Sequence, residues 1–434
     1  MYKIFKQLIF LCNVFFILIS EYTMYYISKD YSNFIDRLTQ RLASINILYV
    51  KVFQAIALNN SLIDDKINNK LLQFTDNAPW TYNDIRLQEL IELTNDYKLN
   101  INDYERPINS GMISLVFVGY RRDNGEKIII KMKRNNIEEK LNEAIENLKA
   151  FMYILSFITL CKKYQIHEVI NKNIGIITYQ TNFLQEIQNI TKIKNNCKRL
   201  KYVKIPNVYS EITDKYQNFI VMEFIEGCKI NEIEENDYEE FAKTILKFGF
   251  VTTLVHGVTH GDLHSGNILF IKDEDDEKYK YKIGVIDFGI IFELDDNYKN
   301  FIFDLVTKMF ERPPIETAIK LLNSDIIEPS CIFSKIPYIH SENIIKFTAQ
   351  IIEETVLSSK KANQLQLYKF LHKFKDFLSK PEISNIGIRL SDNFVKTQLV
   401  LAMAHGITLT LCKEDYMVIA DKVINELFYT NILI

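Results

Sequence analysis

The chain has 434 residues, of which 47% are hydrophobic and 12% aromatic, so it can bury the cores of two or three domains. Its net charge of -3 argues against a general nucleic-acid-binding role, because proteins that bind nucleic acids normally carry an excess of Lys and Arg on the binding surface. Six cysteines without a C-x-x-C pair argue against a structural zinc site and indicate a reducing, intracellular compartment.

Residues 1–30 contain an apolar segment that has two interpretations. The stretch from Leu8 to Ser20 is apolar at nearly every position, and its extension to Ile27 gives the roughly 20 residues that a membrane span needs. Residues 4–28 are therefore either an anchor that makes the protein membrane-associated or a helix buried in the protein. The sequence leaves both interpretations open.

Residues 31–106 are predicted to be a helical extension. No glycine occurs before Gly111, and the residues from Asp84 to Leu93 are amphipathic with helical spacing. Pro79 and Asn83 are the start signals that we assign to this helix.

Residues 107–225 are predicted to form a small α+β lobe. Strands are expected around Leu115–Tyr120 and Lys127–Met132, joined by an Asp-Asn-Gly turn that ends at Gly125. A third strand is expected at Asn218–Glu223. The remaining part of the chain is predicted to be mostly helical.

The most informative motifs lie in that remaining part, residues 226–434. His260-Gly-Asp262-Leu-His-Ser-Gly-Asn267 is followed by Asp287-Phe-Gly, which is the H-x-D-x-x-x-x-N and D-F-G order of protein-kinase-like folds. In such folds Asp262 is the catalytic residue that faces the acceptor hydroxyl, whereas Asn267 and Asp287 hold Mg²⁺. The sequence therefore predicts an α+β, bilobal protein-kinase-like fold with an additional helical N-terminal extension.

The other nucleotide-handling groups of this fold are predicted upstream. Lys131 ends an apolar strand and resembles the strand lysine that holds the α and β phosphates of ATP. A desolvated ammonium needs a counter-charge, and we choose Glu186, although periodicity does not separate it from Glu143 and Glu146. Glu223 ends the third strand just before a Glu-Gly hinge and is assigned to nucleotide binding.

Histidines at positions 256, 260 and 264 recur every four residues, as in a helical metal-binding stripe. Gly257, Gly261 and Gly266 argue against a helix there, so we do not predict zinc. His260 is instead expected to brace the catalytic loop.

Two motifs resemble those of the UbiB, or AarF-domain, family of atypical kinase-like proteins. The family's catalytic loop reads H-A-D-P-H-P-G-N, and its second His and its Gly are matched here by His264 and Gly266. The family's K-x-G-Q helix is matched by Lys51-Val-Phe53-Gln54. The likeness runs from about residue 40 to about residue 425. It implies ATP or ADP and Mg²⁺ as cofactors, nucleotide-binding roles for Lys51 and Gln54, and a link to isoprenoid-quinone lipid metabolism.

Three positions depart from the family pattern. Its Ala-rich phosphate loop, A-A-A-S, is here Asn109-Ser110-Gly111-Met112, its E-x-D motif is Gln180-Thr-Asn182, and Phe53 replaces the Gly of K-x-G-Q. Ser110 and Gly111 are assigned to nucleotide binding. Because Gly111 lacks a Cβ, we expect Mg-ATP to bind at least as readily as Mg-ADP, unlike the ADP preference associated with the family's Ala-rich loop.

These features predict an enzyme, an atypical kinase or ATPase that binds Mg-ATP or Mg-ADP and transfers or hydrolyses a phosphoryl group. The alternative is a non-catalytic nucleotide-binding regulator, a pseudokinase, which the three departures suggest. Nucleotide is the expected partner, with a membrane or lipid as the second, and no nucleic acid is expected. A protein substrate is not favoured, since no A-P-E follows D-F-G.

Overall fold

The computed structural model describes residues 2–46, 48–52, 78–157, 166–308, 311–328, 338–357, 367–378, 380–384, 389–412 and 416–429. The chain divides into two compact units. The first comprises Met1–Ile187 and Asn207–Phe224, and the second comprises Gln188–Pro206 and Ile225–Ile434.

Helices and strands alternate in the first half of the chain, whereas helices dominate the second. The helices are α1 (Tyr2–Ser28), α2 (Tyr31–Ile45), α3 (Leu87–Asp96), α4 (Ile137–Leu155), α5 (Ile166–Tyr179), α6 (Phe183–Asn196), α7 (Ser210–Lys215), α8 (Tyr238–Phe250), α9 (Asp296–Lys308), α10 (Pro314–Leu322), α11 (Tyr338–Ile352), α12 (Leu367–Leu378), α13 (Pro381–Ser384), α14 (Asp392–Leu411) and α15 (Tyr416–Tyr429). The strands are β1 (Leu99–Ile101), β2 (Asn109–Ser110), β3 (Ser114–Arg121), β4 (Lys127–Lys133), β5 (Val203–Lys204), β6 (Phe219–Glu223), β7 (Val258–His260), β8 (Ile268–Lys272), β9 (Tyr281–Val285), β10 (Ile291–Glu293), β11 (Ile327–Glu328) and β12 (Arg389–Leu390).

The first unit contains an antiparallel sheet in the order β1-β3-β4-β6, with β2 paired to β3. The turn between β3 and β4 contains Gly125 at φ +73°, a left-handed conformation that glycine adopts without strain. Ile128, Ile130 and Met132 of β4 are fully buried, which fixes this strand inside the sheet. Lys131 therefore stands on a central strand, opposite Val116 of β3.

The helical N-terminal region packs into the first unit through one face of α1. Phe10, Val14 and Ile17 are buried in a cluster that also includes residues of α2 and α4. The opposite face leaves large apolar side chains exposed, among them Phe16 and Ile19. Both interpretations of this segment thus retain a physical basis, because one face of the helix is packed and the other exposes large apolar side chains.

The helix predicted from Asp84 begins later than its start signals indicate. A 3₁₀ turn covers Tyr82–Asp84, and α3 begins at Leu87. The carboxylate of Asp84 accepts a hydrogen bond from the N–H of Thr81 at 2.9 Å, so it closes this turn instead of entering the helix. The periodicity identified the helix correctly, but the start at Pro79 or Asn83 is wrong.

The second unit is built around a helical core. Side chains of α8, α9, α10, α11, α12 and α15 pack together, with Tyr298, Phe374 and Ile424 fully buried. Beside this core, β8 and β9 form an antiparallel hairpin joined in parallel by β5, and β7 pairs with β10. This arrangement places the segment between β7 and β8 and the segment after β9 at neighbouring strand ends.

Candidate active site

Lys131 and Glu186 form a buried ion pair in the first unit. Lys131 Nζ lies 2.6 Å from Glu186 Oε1, and the two residues are 8% and 2% exposed. Phe183 and Ile187 hold this end of α6 against Ile220 of β6. These apolar contacts position the helix so that the carboxylate of Glu186 reaches Lys131 on β4.

The two other candidate partners of Lys131 have surface contacts instead. Glu143 pairs with Lys6 at 3.0 Å, and Glu146 pairs with Lys149 at 3.2 Å. Both carboxylates are largely exposed. Among the three acids that the sequence left open, Glu186 is the one that the structure pairs with Lys131.

The predicted phosphate loop, residues 109–112, comprises β2 and the first part of the connection to β3. The N–H of Gly111 donates to the carbonyl of Ser114 at 2.9 Å, which closes the turn. The hydroxyl of Ser110 donates to the carbonyl of Ala78 at 2.6 Å and is buried, so this side chain is committed to the protein. The hydroxyl of Ser110 thus has a partner within the protein, and the nucleotide-binding role of this residue stays a prediction.

Arg134 is a buried residue of this region that sequence reasoning missed. Its guanidinium donates to the carbonyls of Gly111, Pro79 and Ala78 at 2.8, 2.8 and 3.2 Å. It also lies 3.3 Å from the carboxylate of Asp84. Its position just after a strand that ends in Lys131-Met-Lys gives no pattern signal, because a basic residue there is typical of a solvated strand end.

Glu223 lies at the end of β6, where the first unit ends. Its side chain accepts a hydrogen bond from Asn207 Nδ2 at 2.8 Å, and its N–H donates to the carbonyl of Asn207 at 2.8 Å. The next N–H, of Phe224, donates to Lys127 at 3.2 Å. The backbone of this segment is thus fixed at the place where the sequence predicts a hinge.

The segment that resembles K-x-G-Q is described only in part. Lys51 lies in a helical stretch of residues 48–52, whereas Phe53 and Gln54 lie outside the described residues. Leu48 and Val50 are fully buried in the same cluster as Met112 and Ile113, which follow Gly111. Lys51 is therefore carried by a segment whose buried residues share a core cluster with the connection between β2 and β3.

The predicted catalytic loop, in the second unit, is organised around His260, which is fully buried. Its Nδ1 accepts a hydrogen bond from the N–H of Asp262 at 3.0 Å, so its Nε2 carries the proton and donates to the carbonyl of Asp287. Burial lowers the pKa of His260, which keeps the ring neutral and preserves this pattern. The bracing role predicted for His260 agrees with these contacts.

Asn267 and Asp287 are oriented by short-range hydrogen bonds. Asn267 Nδ2 contacts the carbonyl of Asp262 at 2.9 Å and His264 Nε2 at 3.1 Å. Asp287 Oδ1 accepts from the N–H of Gly289 at 2.9 Å. One carboxylate and one amide are a small protein ligand set, which suits Mg²⁺ because that ion keeps waters and takes further ligands from phosphates.

The amides at the family's E-x-D positions have different surroundings. Asn182 Oδ1 accepts from the N–H of Gln185 at 3.2 Å and caps the N-terminus of α6, a role for which Asn and Asp are equally suited. Gln180 Oε1 is buried without a hydrogen-bond partner among the described residues. The amide of Asn182 thus has a local structural role, whereas the amide oxygen of Gln180 accepts no hydrogen bond from the described residues.

A fold with a strand lysine paired to a helix glutamate, and with an H-x-D-x-x-x-x-N loop before D-F-G, defines a protein-kinase-like protein. The chain belongs to the ABC1 atypical kinase-like family, whose domain profile matches residues 79–315. This match confirms the resemblance to UbiB-type proteins and the α+β protein-kinase-like fold with a helical N-terminal region.

Curated relatives carry the same family relationship. "Probable protein kinase UbiB" from Shewanella piezotolerans is 24% identical over 286 residues, which are 64% of this chain and 51% of the relative. The protein of the same name from Shewanella sp. MR-7 is 25% identical over 280 residues, or 62% and 50% of the two chains. The chain spans about half the length of the curated relatives it matches.

Solved structures with a related fold are more distant. The Rv3197–erythromycin complex from Mycobacterium tuberculosis has a TM-score of 0.49 at 14% identity, and the match covers 86% of this chain and 90% of that one. The Rio2 kinase–ADP/Mg²⁺–phosphoaspartate complex from Chaetomium thermophilum has a TM-score of 0.30 at 15% identity, over 83% and 98%. The family assignment rests on the domain match and not on these structures.

Proposed function

We propose that this protein is an atypical kinase or ATPase that binds Mg-ATP or Mg-ADP and transfers or hydrolyses a phosphoryl group. The observation that supports this most is the buried pair of Lys131 and Glu186. Removing two charges from water costs free energy that their mutual attraction does not reliably offset, so a contribution to stability is a weak explanation for a buried ion pair. Its retention is explained if Lys131 also holds the α and β phosphates.

Asp262, Asn267 and Asp287 supply the remaining chemistry in this proposal. Bound Mg²⁺ would neutralise charge on the phosphates, and Asp287 and Asn267 would hold it through their side-chain oxygens. Asp262 orients the acceptor and takes its proton, a role that its fixed backbone contacts with His260 and Asn267 support. The family resemblance links the proposed activity as a whole to lipid or quinone metabolism.

The metal role of Asp287 is tested by the Asp287→Asn substitution. We expect this variant to lose the thermal stabilisation that Mg-ATP and Mg-ADP give the parent. An uncharged amide holds Mg²⁺ more weakly than a carboxylate, and without the metal the negative charge of the phosphates is not compensated. The measurement is a thermal-shift titration with each nucleotide, with and without Mg²⁺. Asp296→Asn is the matched control, since that side chain is 86% exposed on α9. Equal stabilisation of the Asp287→Asn variant and the parent would contradict the assignment.

A second candidate, a non-catalytic nucleotide-binding regulator, is favoured by the amides Gln180 and Asn182 in place of the family's carboxylates. Turnover distinguishes the two candidates. We expect the parent to hydrolyse Mg-ATP or transfer its phosphoryl group, and Asp262→Ala to lose on the order of 10²-fold in kcat while keeping its nucleotide affinity. A parent that binds nucleotide but has no turnover, with or without lipid vesicles, would establish the regulator instead.

A further inference from the structure

Arg134 connects the phosphate loop to the segment that precedes α3. Its Nε and one terminal nitrogen both donate to the carbonyl of Gly111, at 3.1 and 2.8 Å. Its backbone N–H donates to the carbonyl of Ile113 at 2.9 Å. Two carbonyls of the loop between β2 and β3 are therefore held by a single residue that is only 5% exposed.

The other donors of the same guanidinium reach the preceding segment. They contact the carbonyls of Pro79 at 2.8 Å and Ala78 at 3.2 Å. Ala78 also exchanges two hydrogen bonds with Ser110, through its N–H at 2.8 Å and its carbonyl at 2.6 Å. The phosphate loop is thus attached at both Ser110 and Gly111 to residues 78–79.

Asp84 holds the guanidinium in this place. Its carboxylate lies 3.3 Å from Arg134, accepts from Lys140 Nζ at 2.7 Å, and is 4% exposed. Burial acts to raise the pKa of Asp84, but hydrogen bonds from Lys140 and Thr81 and the charge of Arg134 outweigh it and lower this pKa. Asp84 therefore remains a carboxylate at neutral pH, and the buried positive charge stays compensated.

We propose that Arg134, seated by Asp84, is a positioning residue that holds the phosphate loop in the conformation that binds the phosphates of a Mg-nucleotide. This role rests on the proposed function of the loop. The peptide bond between Gly111 and Met112 is planar, so fixing the carbonyl of Gly111 toward Arg134 turns the N–H of Met112 to the opposite side. A loop N–H that is oriented before binding offers a phosphate a donor without an ordering cost.

Only arginine fits this arrangement. A guanidinium carries five N–H donors in a rigid planar fork, whereas a lysine ammonium is a compact charge with three donors. At this buried position a lysine keeps the ion pair with Asp84 but cannot hold Gly111, Pro79 and Ala78 together. Arg134→Lys therefore separates the positioning of the loop from the charge.

The test compares Arg134→Lys with Arg122→Lys, whose guanidinium also binds a backbone carbonyl, that of Leu99 at 3.1 Å, within the same unit. We expect Arg134→Lys to raise the Kd for Mg-ATP by on the order of tenfold, the loss of one or two hydrogen bonds. It should raise KM with little change in kcat, and it should speed amide hydrogen exchange in peptides covering residues 108–116. Arg122→Lys should do none of these.

Unchanged nucleotide affinity and unchanged loop exchange in a folded Arg134→Lys protein would overturn the proposal. If that variant does not fold, Asp84→Asn keeps the guanidinium of Arg134 but removes its counter-charge. Nucleotide affinity and loop exchange are then measured on this variant, and both should change in the same direction but by less. A parent that binds no Mg-nucleotide would overturn the proposed function, and the exchange measurement would then still decide whether Arg134 restrains the loop.

Discussion

At the scale of single residues, the burial of the ion pair between Lys131 and Glu186 has a measurable stability consequence. Glu186→Gln leaves an ammonium in the interior without a counter-charge, which typically costs about 3–5 kcal/mol in unfolding free energy. The surface pair of Glu146 and Lys149 offers a matched control, because Glu146→Gln should change this free energy by less than about 1 kcal/mol. Urea denaturation of both variants provides the comparison.

The same two variants separate the roles of two of the three acidic candidates, Glu186 and Glu146. Glu186→Gln should also weaken Mg-nucleotide binding, because Lys131 loses the contact that holds its ammonium in place. Glu146→Gln should bind as the parent does. Equal urea midpoints for the two variants would show that the pair of Lys131 and Glu186 makes no special contribution to stability.

Motif spacing and helix periodicity carry different kinds of information about the proposed site. Asp262, Asn267 and Asp287 follow from fixed motif spacing, which is a local property of the chain. The partner of Lys131 lies 55 residues away on a helix, and periodicity identifies a helix face without specifying what it contacts. Arg134 went unnoticed for a related reason, since most of its partners are backbone carbonyls, which carry no side-chain signal, and its one carboxylate partner, Asp84, lies 50 residues away.

At the scale of elements, the loop between β2 and β3 carries a prediction about nucleotide preference. A Cβ added at Gly111 would meet its nearest atom, the carbonyl oxygen of Ser114, at 3.7 Å, an ordinary contact. Gly111→Ala therefore restores an alanine of the family's loop without strain in the fold. We expect it to shift preference from Mg-ATP toward Mg-ADP, because the added methyl limits how closely phosphate approaches the backbone.

Paired binding titrations with Mg-ATP and Mg-ADP provide the measurement for this loop. Gly175→Ala is the control, since Gly175 is exposed on α5 and a Cβ there meets nothing within 4 Å. That substitution should leave the ratio of the two dissociation constants unchanged. A Gly111→Ala protein with the ratio of the parent would mean that Gly111 does not determine the preference.

Element boundaries show where local sequence signals stop being sufficient. The strands β3 and β4 and the Gly125 turn follow from alternation and turn chemistry, which act between neighbouring residues. The start of α3 does not, because Asp84 is drawn into a 3₁₀ turn and into contacts with Arg134 and Lys140. A tertiary ion cluster here overrides a start signal that the sequence contains.

At the scale of the whole molecule, α1 carries a prediction about membrane association. Phe5–Ser28 is the single stretch among the described helices that is long and apolar enough to cross a membrane, with a mean hydropathy of 1.7. Glu21 of this helix is 5% exposed and paired with Arg37 and Arg41 at 2.8 Å. We propose that α1 keeps these pairs and attaches to a lipid surface by its exposed face.

Flotation with neutral phosphatidylcholine vesicles tests this attachment. Ile19→Ser and Ile27→Ser remove apolar side chains that are 65% and 72% exposed, so together they should reduce the vesicle-bound fraction severalfold without unfolding the protein. Ile315→Ser, at a residue 54% exposed on α10, is the control and should float as the parent does. Flotation of the double variant equal to that of the parent, or no flotation of the parent, would contradict the role of α1.

The ring of His260 joins the backbones of Asp262 and Asp287, and this has a consequence for how the chain folds. His260 and Asp287, the more distant pair along the chain, are only 27 residues apart, and the antiparallel hairpin of β8 and β9 lies between them. Contacts of low sequence separation form early, because little loop-closure entropy opposes them. During synthesis the two aspartates can therefore reach their final register as soon as this hairpin emerges, before α14 and α15 exist.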